Sequence, residues 1–342
     1  MAKRTGLYTV ELEKKPRIIG NAAIMGKKEG EGPFGSEFDE ILKDTTAGED
    51  SWEKAESIFL QSAIKKALSK AAVSPGEVNA LFSGDLLNQC MGSSFAVREL
   101  SIPFAAVYGA CSTMALSLII ASLAIESGGF DCTVAATSSH FCSAEKQFRL
   151  PLEYGGQRPP SAQWTVTGAG AAVLRDVPSP LSPYIDKVHI GTITDYNITD
   201  TNNMGAAMAP AASKTIHDFL EDTQTAPSDY DLILTGDLGF VGSELLRQLM
   251  VREYSTDISF VHNDCGMMIF DREKQDVHSG GSGCGCSAGI LCSYIINSMR
   301  KGKLKNVLFV ATGALLSSVS SLQGESIPGV AHAVLIKGGC DR

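Results

Sequence analysis

The chain repeats one order of predicted elements twice, and this duplication limits the folds that it can adopt. In the first half, a predicted helix from Trp52 leads to a short apolar strand, 78–82, and then to Ser-Gly-Asp-Leu at 83–86. In the second half, a helix near 205–221 leads to a strand, 231–234, and to Thr-Gly-Asp-Leu at 235–238. Helices and strands that alternate in this way predict an α/β fold.

The two halves continue to match beyond this point. A buried strand at 104–108, the turn Gly-Ala-Cys-Ser-Thr at 109–113, a helix to 128, a strand at 132–137 and a glycine-rich strand at 168–174 follow in the first half. Their counterparts are a strand near 258–261, the turn Gly-Ser-Gly-Cys at 281–284, a helix to Met299 and strands at 307–312 and 328–335. The second half carries an insertion, 262–283, which we expect to form a surface hairpin or loop.

Small-residue helices in duplicated units are buried most simply between two sheets. The sequence therefore predicts an internally duplicated, layered αβαβα fold with two mixed sheets of the five-stranded type. The boundary between the halves, 1–178 and 179–342, falls in the proline-rich stretch 178–183, which is too short for a flexible linker.

The composition excludes some classes of function. The formal net charge is −9 at pH 7, and Lys and Arg do not cluster as they do on surfaces that bind nucleic acid. The N-terminus has no signal-peptide pattern, and the most apolar stretch, 114–125, is shorter than the roughly 20 residues that cross a bilayer. We therefore expect a soluble protein that has no transmembrane segment, stays in the cytosol, and keeps its nine cysteines as reduced thiols.

Cys111 is the strongest candidate for a functional residue. It follows a predicted strand and opens a helix, a place where amides and the helix dipole can lower the pKa of a thiol and attract an anion. The amides of Ser112 and Thr113 belong to the same turn. A strand, a Gly-Ala-Cys-Ser turn and a long apolar helix resemble the nucleophile turn of thiolases and ketoacyl synthases, and the resemblance implies their duplicated fold.

The second half departs from those enzymes at two positions. In those families a His or Asn of the second half activates the thiol and stabilises an oxyanion. The first position, within a His-Gln-Ala-Asn run, corresponds to Thr-Gly-Asp-Leu at 235–238, and the second, Gly-Asn or Gly-His, corresponds to Gly-Ser-Gly-Cys at 281–284. The sequence therefore predicts a thiolase-like protein that is not an enzyme.

A second resemblance covers nearly the whole chain. The motifs that carry it are Ser-Gly-Asp-Leu-Leu-Asn-Gln (83–89), Gly-Ala-Cys-Ser-Thr (109–113), Ala-Thr-Ser-Ser-His (136–140), Gln-Phe-Arg (147–149), Glu-Tyr-Gly-Gly-Gln (153–157), Met-Ala-Pro-Ala-Ala (208–212), His-Asn-Asp-Cys-Gly (262–266) and Gly-Gly-Ser-Gly-Cys (280–284). Together they resemble the stage V sporulation protein AD family. Members of that family are thiolase-fold proteins of spore-forming bacteria that bind pyridine-2,6-dicarboxylic acid (dipicolinic acid) and act with membrane partners during its uptake into the developing spore.

The resemblance implies non-catalytic binding of dipicolinic acid, alone or as its calcium chelate, with no cofactor. It also implies that other SpoVA membrane proteins are partners, and that the chain lies peripherally at the inner (forespore) membrane through them. By analogy with relatives of the fold, we expect a homodimer that pairs through the strand 132–137. Two alternatives remain open: an acyl-thioester condensing or thiolytic enzyme that uses Cys111, and a structural assembly protein.

A flat ring with two carboxylates requires cationic or N–H donors at its rim and apolar walls at its faces. We expect the donors to converge where the halves meet, and we expect the start of the insertion to form a flap over the site. The candidate ligand-binding residues are Cys111, Ser112, Thr113, His140, Arg149, Tyr154, Asp85, Asn88, His262 and Asp264.

Metal binding is not expected from the side chains alone. Asp85 and Asp237 occupy equivalent loops, where capping the following helix is a better explanation than holding calcium. Cys284 and Cys286 form a Cys-x-Cys pair that lacks the usual spacing of zinc ligands.

Overall fold

The protein consists of two matching halves of one α/β sheet system. The computed structural model describes residues 2–148 and 158–339. The strands of the first half are β1 Lys3–Thr5, β2 Thr9–Glu11, β3 Arg17–Gly26, β4 Glu40–Leu42, β5 Ala80–Gly84, β6 Phe104–Ala106, β7 Cys132–Ser139, β8 Trp164–Thr165 and β9 Gly168–Arg175. Those of the second half are β10 Tyr184–Ile190, β11 Leu232–Thr235, β12 His262–Asp264, β13 Gly281–Ser282, β14 Asn306–Ala314 and β15 Gly329–Lys337.

The helices alternate with these strands. In the first half they are α1 Lys27–Gly30, α2 Trp52–Ala71, α3 Met91–Val97, α4 Thr113–Glu126 and α5 Phe141–Phe148. In the second half they are α6 Met204–Thr223, α7 Gly239–Tyr254, α8 Cys265–Met268, α9 Cys284–Ile290, α10 Ile296–Arg300 and α11 Ser318–Leu322. A π-helical turn, Leu291–Ile295, joins α9 to α10 into one continuous helix.

The duplication predicted from the sequence is present in the strand order. The first half runs β6-β5-β7-β9-β3 and the second runs β12-β11-β14-β15-β10. In each half the first three strands are parallel and the last two pair antiparallel with their neighbours. One topology is therefore built twice.

The sheets of the two halves are joined rather than separate. Tyr184 at the start of β10 pairs with Arg17 at the start of β3, and this pair links the two sets of five strands into one mixed sheet. The sequence predicts two separate sheets. The structure has one, because β3 and β10 lie at the edges of the two sets of strands and pair with each other.

Alternating side chains along the strands separate three apolar layers. Met25 of β3 and Phe309 of β14 face a central cluster that contains Leu118 of α4 and the helix from α9 to α10. Ile24 faces an outer cluster with α2, and Val310 faces a second outer cluster with α6 and α7. This alternation is the period of two expected of strands, and it confirms the layered αβαβα arrangement.

Three details of the prediction are wrong. The strand expected at 104–108 to be buried is the short edge strand β6, in which Ala105 and Ala106 are exposed. Its counterpart was expected at the apolar run 258–261. The strand lies a few residues later, as β12, which contains the polar residues His262 and Asp264. The expected homodimer pairs through the strand 132–137. That strand is β7, and neither of its edges is free for a second protomer, because one pairs with β5 and the other with β9.

The connecting helices begin where local chemistry favours them. The α2 helix, predicted from Trp52, is capped by Ser51, whose hydroxyl accepts from the amide of Lys54. Within the described ranges, no helix combines the length and the apolar character needed to cross a membrane.

Gly170 lets β9 of the first half approach α9 of the second half. A Cβ at this position would lie 2.5 Å from the carbonyl oxygen of Ala288 and 2.8 Å from its Cβ. Backbone atoms cannot move aside as a flexible side chain can, so the contact holds the sheet and the central helix in register.

We predict that Gly170→Ala lowers the free energy of unfolding by about 1–3 kcal/mol, because the added methyl forces β9 away from α9. Urea unfolding followed by circular dichroism measures this change. The matched control is Gly76→Ala, where no atom lies within 4 Å of the added Cβ and a change below about 1 kcal/mol is expected. Equal effects of the two substitutions would contradict the close approach.

Candidate functional site

A small cavity lies beside Cys111, between the two halves. Its volume is about 40 Å³. None of the described residues that line it is a lysine, arginine or histidine, so its walls are apolar apart from a thiol and three hydroxyl groups. The lining residues are Leu86, Tyr108, Ala110, Cys111, Ala144, Phe148, Thr165, Met204, Ser282, Ala314 and Leu316.

A tight turn positions Cys111 at this cavity. Ala110 adopts a left-handed backbone with φ of 49°, and the hydroxyls of Ser112 and Thr113 donate to the carbonyls of Gly109 and Ala110, each over 2.6 Å. The amides of Ser112 and Thr113 donate to the same two carbonyls. Both residues are fully buried, so they stabilise the turn instead of offering donors to a ligand as the sequence predicts.

The thiol of Cys111 lies beside the carboxyl of Asp237, which follows β11. Asp237 is fully buried. Its Oδ1 accepts from Thr312 Oγ1 over 2.9 Å, and its Oδ2 accepts from the amide of Gly283 over 2.7 Å and from Ser282 Oγ over 3.2 Å. Burial raises the pKa of Asp237 to about 6 in spite of these donors.

The surroundings of Cys111 keep its thiol protonated. Burial raises its pKa well above the ordinary value for cysteine, and the charge of Asp237 and the nearby Cys284 raise it further. A catalytic cysteine requires the reverse shift, since the thiolate is the nucleophile. Asp237 was missed as a site residue, although it lies in the run that corresponds to His-Gln-Ala-Asn of the thiolase-like enzymes.

The other candidates of the first half do not line the cavity. Asp85 is buried and accepts from the amides of Leu87, over 2.9 Å, and Ser93, over 2.7 Å. It therefore stabilises the loop after β5, in line with the structural role that its position in the sequence favours over calcium binding. Asn88 is exposed, and its amide donates to Oε1 of Gln147.

His140 is a buried structural residue. Its Nε2 lies 2.9 Å from the carbonyl oxygen of Thr45, and its Nδ1 accepts from the amide of Cys142. The ring packs against Trp52 and Phe59, and burial lowers its pKa. Both ring nitrogens already have partners, so the structure does not bring His140 to the cavity, and its role as a ligand donor stays a prediction.

His262 and Asp264 belong to the edge strand β12, not to a flap. Arg247 Nε donates to His262 Nδ1 over 3.3 Å, and His262 Nε2 lies 2.9 Å from Thr235 Oγ1. Burial lowers the pKa of His262 to about 3, and the charge of Arg247 acts in the same direction. The chain of hydrogen bonds ends at Asp264, whose Oδ2 accepts from Thr235 Oγ1 over 2.7 Å.

Asp264 also closes the start of two helices. Its carboxylate accepts from the amides of Leu238 and Gly239 and from that of Met267, where it caps α8. The start of the insertion is consequently tied to the sheet, whereas Ser282 near its end lines the cavity. Arg149 and Tyr154, the remaining candidates, lie outside the described residues.

Over residues 2–148 and 158–339, no three His, Cys, Asp or Glu side chains are grouped so that they could hold a metal ion.

A duplicated αβαβα core with a cysteine at the opening of a central helix defines the thiolase-like fold of condensing enzymes. 3-Oxoacyl-[acyl-carrier-protein] synthase III from Aquifex aeolicus VF5 shares it with a TM-score of 0.57 at 15% identity, over 94% of this chain and 99% of that one. A variant of OleA from Xanthomonas campestris gives a TM-score of 0.59 at 15% identity, over 96% and 99%. Identities this low establish the fold alone.

Sequence comparison gives the family. The family model described as Stage V sporulation protein AD matches residues 6–337. Stage V sporulation protein AD of Bacillus subtilis (strain 168) is 41% identical over 335 residues, which cover 98% of each chain. This chain therefore belongs to the stage V sporulation protein AD family, and its role lies in sporulation.

We predict that iodoacetamide modifies Cys111 at pH 8 at least about tenfold more slowly than a free cysteine, because its pKa is raised. Asp237→Asn should increase the rate, since it removes the negative charge beside the thiol. Mass spectrometry of the labelled peptides measures both rates, with the partly exposed Cys142 as the internal control. Labelling of Cys111 faster than that of a free cysteine would show that the thiol is activated.

Proposed function

We propose that the chain binds dipicolinic acid without catalysis in the cavity beside Cys111, for uptake of the acid into the developing spore with other SpoVA membrane proteins. The observation that carries the proposal is the position of Asp237 beside the Cys111 thiol. A buried acid stands where an enzyme would place an activating base, and its charge raises the pKa of the thiol. Membership of the sporulation family supports the biological setting.

The walls of the cavity suit an aromatic acid. Leu86, Phe148 and Leu316 offer apolar contacts to the faces of a ring, while Thr165 and Ser282 carry hydroxyls that can meet a carboxylate. A volume of about 40 Å³ holds only a few water molecules. Binding therefore requires wall side chains such as Phe148 and Met204 to move aside.

A cation is needed for a ligand with two carboxylates. Arg149 is the next residue after Phe148, whose side chain lines the cavity, and we propose that its guanidinium pairs with one carboxylate. Calcium carried as the chelate is the alternative source of positive charge. A homodimer, and attachment to the inner membrane through the SpoVA partners, belong to the same proposal.

Isothermal titration with dipicolinate, with and without calcium, tests the proposal, and benzoate serves as the control that has one carboxylate. Saturable binding of dipicolinate that benzoate does not reproduce is the expected result. No heat and no thermal shift at any ligand concentration would reject dipicolinate binding and leave the fold intact.

We predict that Arg149→Ala weakens dipicolinate binding by about 1.5–3 kcal/mol, the range for a hydrogen bond to a charged group. The same titration measures this loss. The matched control is Arg175→Ala, because Arg175 lies at the far end of β9 and pairs with Glu77. Equal affinity of the Arg149 variant and the native protein would exclude Arg149 from the site.

A second candidate is an acyl-thioester enzyme that uses Cys111. The position of Cys111 at the opening of α4 and the fold shared with condensing enzymes favour it. Assays of acyl-CoA turnover distinguish the two functions. Turnover that disappears in Cys111→Ala would refute the proposal of a binding protein, and we expect none above the background of that variant.

A further inference from the structure

Asp237 holds the hydrogen of a hydroxyl group that lines the cavity. Ser282 Oγ donates to Asp237 Oδ2 over 3.2 Å, and the Cys111 thiol lies beside the same carboxyl. A hydroxyl has a single hydrogen. While that hydrogen points to Asp237, Ser282 presents only lone pairs to the cavity, and these repel an anion.

We propose that Asp237 controls anion binding in this cavity by taking up one proton when a carboxylate enters. The proton comes from solvent and neutralises the Asp237 carboxylate, so that Ser282 turns its hydrogen toward the ligand. No other bond changes and no redox partner is needed. The inference rests on the proposed binding of a dicarboxylate beside Cys111.

The electrostatics of the surroundings favour this coupling. Among the described residues, the titratable neighbours that interact with Asp237 are the thiols of Cys111, Cys265, Cys284 and Cys286 and the carboxyl of Asp264. All of them are acids, so none offsets a negative charge on Asp237. A second anion nearby in this buried region would be repelled strongly.

In the free protein, Asp237 already takes up a proton only slightly below neutral pH. The pKa of Asp237 is about 6 because burial disfavours its charged form, and the charge of a bound carboxylate raises it further. The protonated form binds the anion, so affinity is highest below this pKa and falls as the pH rises above it.

Thr312 offers a way to change this pKa from outside the cavity. Its hydroxyl donates to Asp237 Oδ1 over 2.9 Å, which favours the ionised form, and Thr312 is not among the residues that line the cavity. Thr312→Val keeps the shape of the side chain and removes the donor. The pKa of Asp237 should therefore rise in this variant by about one pH unit.

The test is titration calorimetry of the full chain with dipicolinate between pH 5.5 and 8.5, on the native protein, Asp237→Asn and Thr312→Val. For the native protein we expect affinity to fall about tenfold per pH unit above the pKa of Asp237. For Asp237→Asn we expect affinity to be nearly independent of pH. For Thr312→Val we expect the fall to begin about one pH unit higher.

Proton uptake is counted directly by repeating the titration at pH 7.5 in buffers of different ionisation enthalpy. The native protein should take up close to one proton per ligand and Asp237→Asn close to none. The ionisation of the ligand itself is common to all three proteins, so the difference between them reports on Asp237. If Asp237→Asn does not fold, the inference is still tested by the number of protons that the native protein takes up and by the pH at which the affinity of Thr312→Val begins to fall.

The outcomes separate this inference from the function on which it rests. Dipicolinate binding with no proton uptake and a flat pH profile would overturn the inference and leave the binding function standing. A requirement for calcium that replaces the pH dependence would also overturn it, because calcium would then supply the missing charge. No binding by any of the proteins at any pH would reject the proposed function itself.

Discussion

The candidate site depends on one buried carboxyl, that of Asp237. It accepts hydrogen bonds from Thr312 in β14 and from the amide of Gly283 before α9, and it lies beside the Cys111 thiol in the turn before α4. These groups belong to both halves of the duplicated fold, and the cavity lies beside the point where they meet. A buried donor that loses its acceptor is destabilised by about 1–3 kcal/mol, so the carboxyl fixes the strand and the helix opening together.

The same carboxyl decides what the cysteine can do. The fold is that of condensing enzymes, in which a cysteine at the opening of a central helix is activated by the second half. In this chain the second half supplies an acid that raises the pKa of Cys111, and within the described ranges the other ionisable groups that interact with this thiol are also acids or thiols. An arrangement that opposes charge on the thiol suits binding better than nucleophilic chemistry.

Most of the fold could be predicted from the sequence because it is repeated. Two occurrences of Gly-Asp-Leu after a short apolar run, and two glycine-rich turns before long helices, indicate the same order of helices and strands along each half. The strands β3 and β10 were missed because the comparison of the halves began at Trp52, beyond β3, and the proline-rich boundary separated β10 from its half. The exposure of β6 could not be predicted, since an apolar run of that length fits an edge strand as well as a buried one.

The site was harder to predict than the fold because contacts between distant segments decide it. His140 follows a buried strand in a place typical of a cleft, yet Trp52 and Phe59 cover its ring. His262 and Asp264 look like the start of a flap, yet a hydrogen-bonded chain through Thr235 ties them to the sheet. Cys111 was found because its signal is local, a strand, a tight turn and a helix.

A crystal structure of the full chain with dipicolinate, grown near pH 6, tests most directly the claim that Cys111 and Asp237 form a binding site. We expect the intact acid beside the Cys111 side chain, with a carboxylate oxygen within hydrogen-bond distance of Ser282 Oγ and no covalent bond to sulfur. Density for dipicolinate elsewhere on the protein, with the cavity beside Cys111 still closed, would contradict the claim.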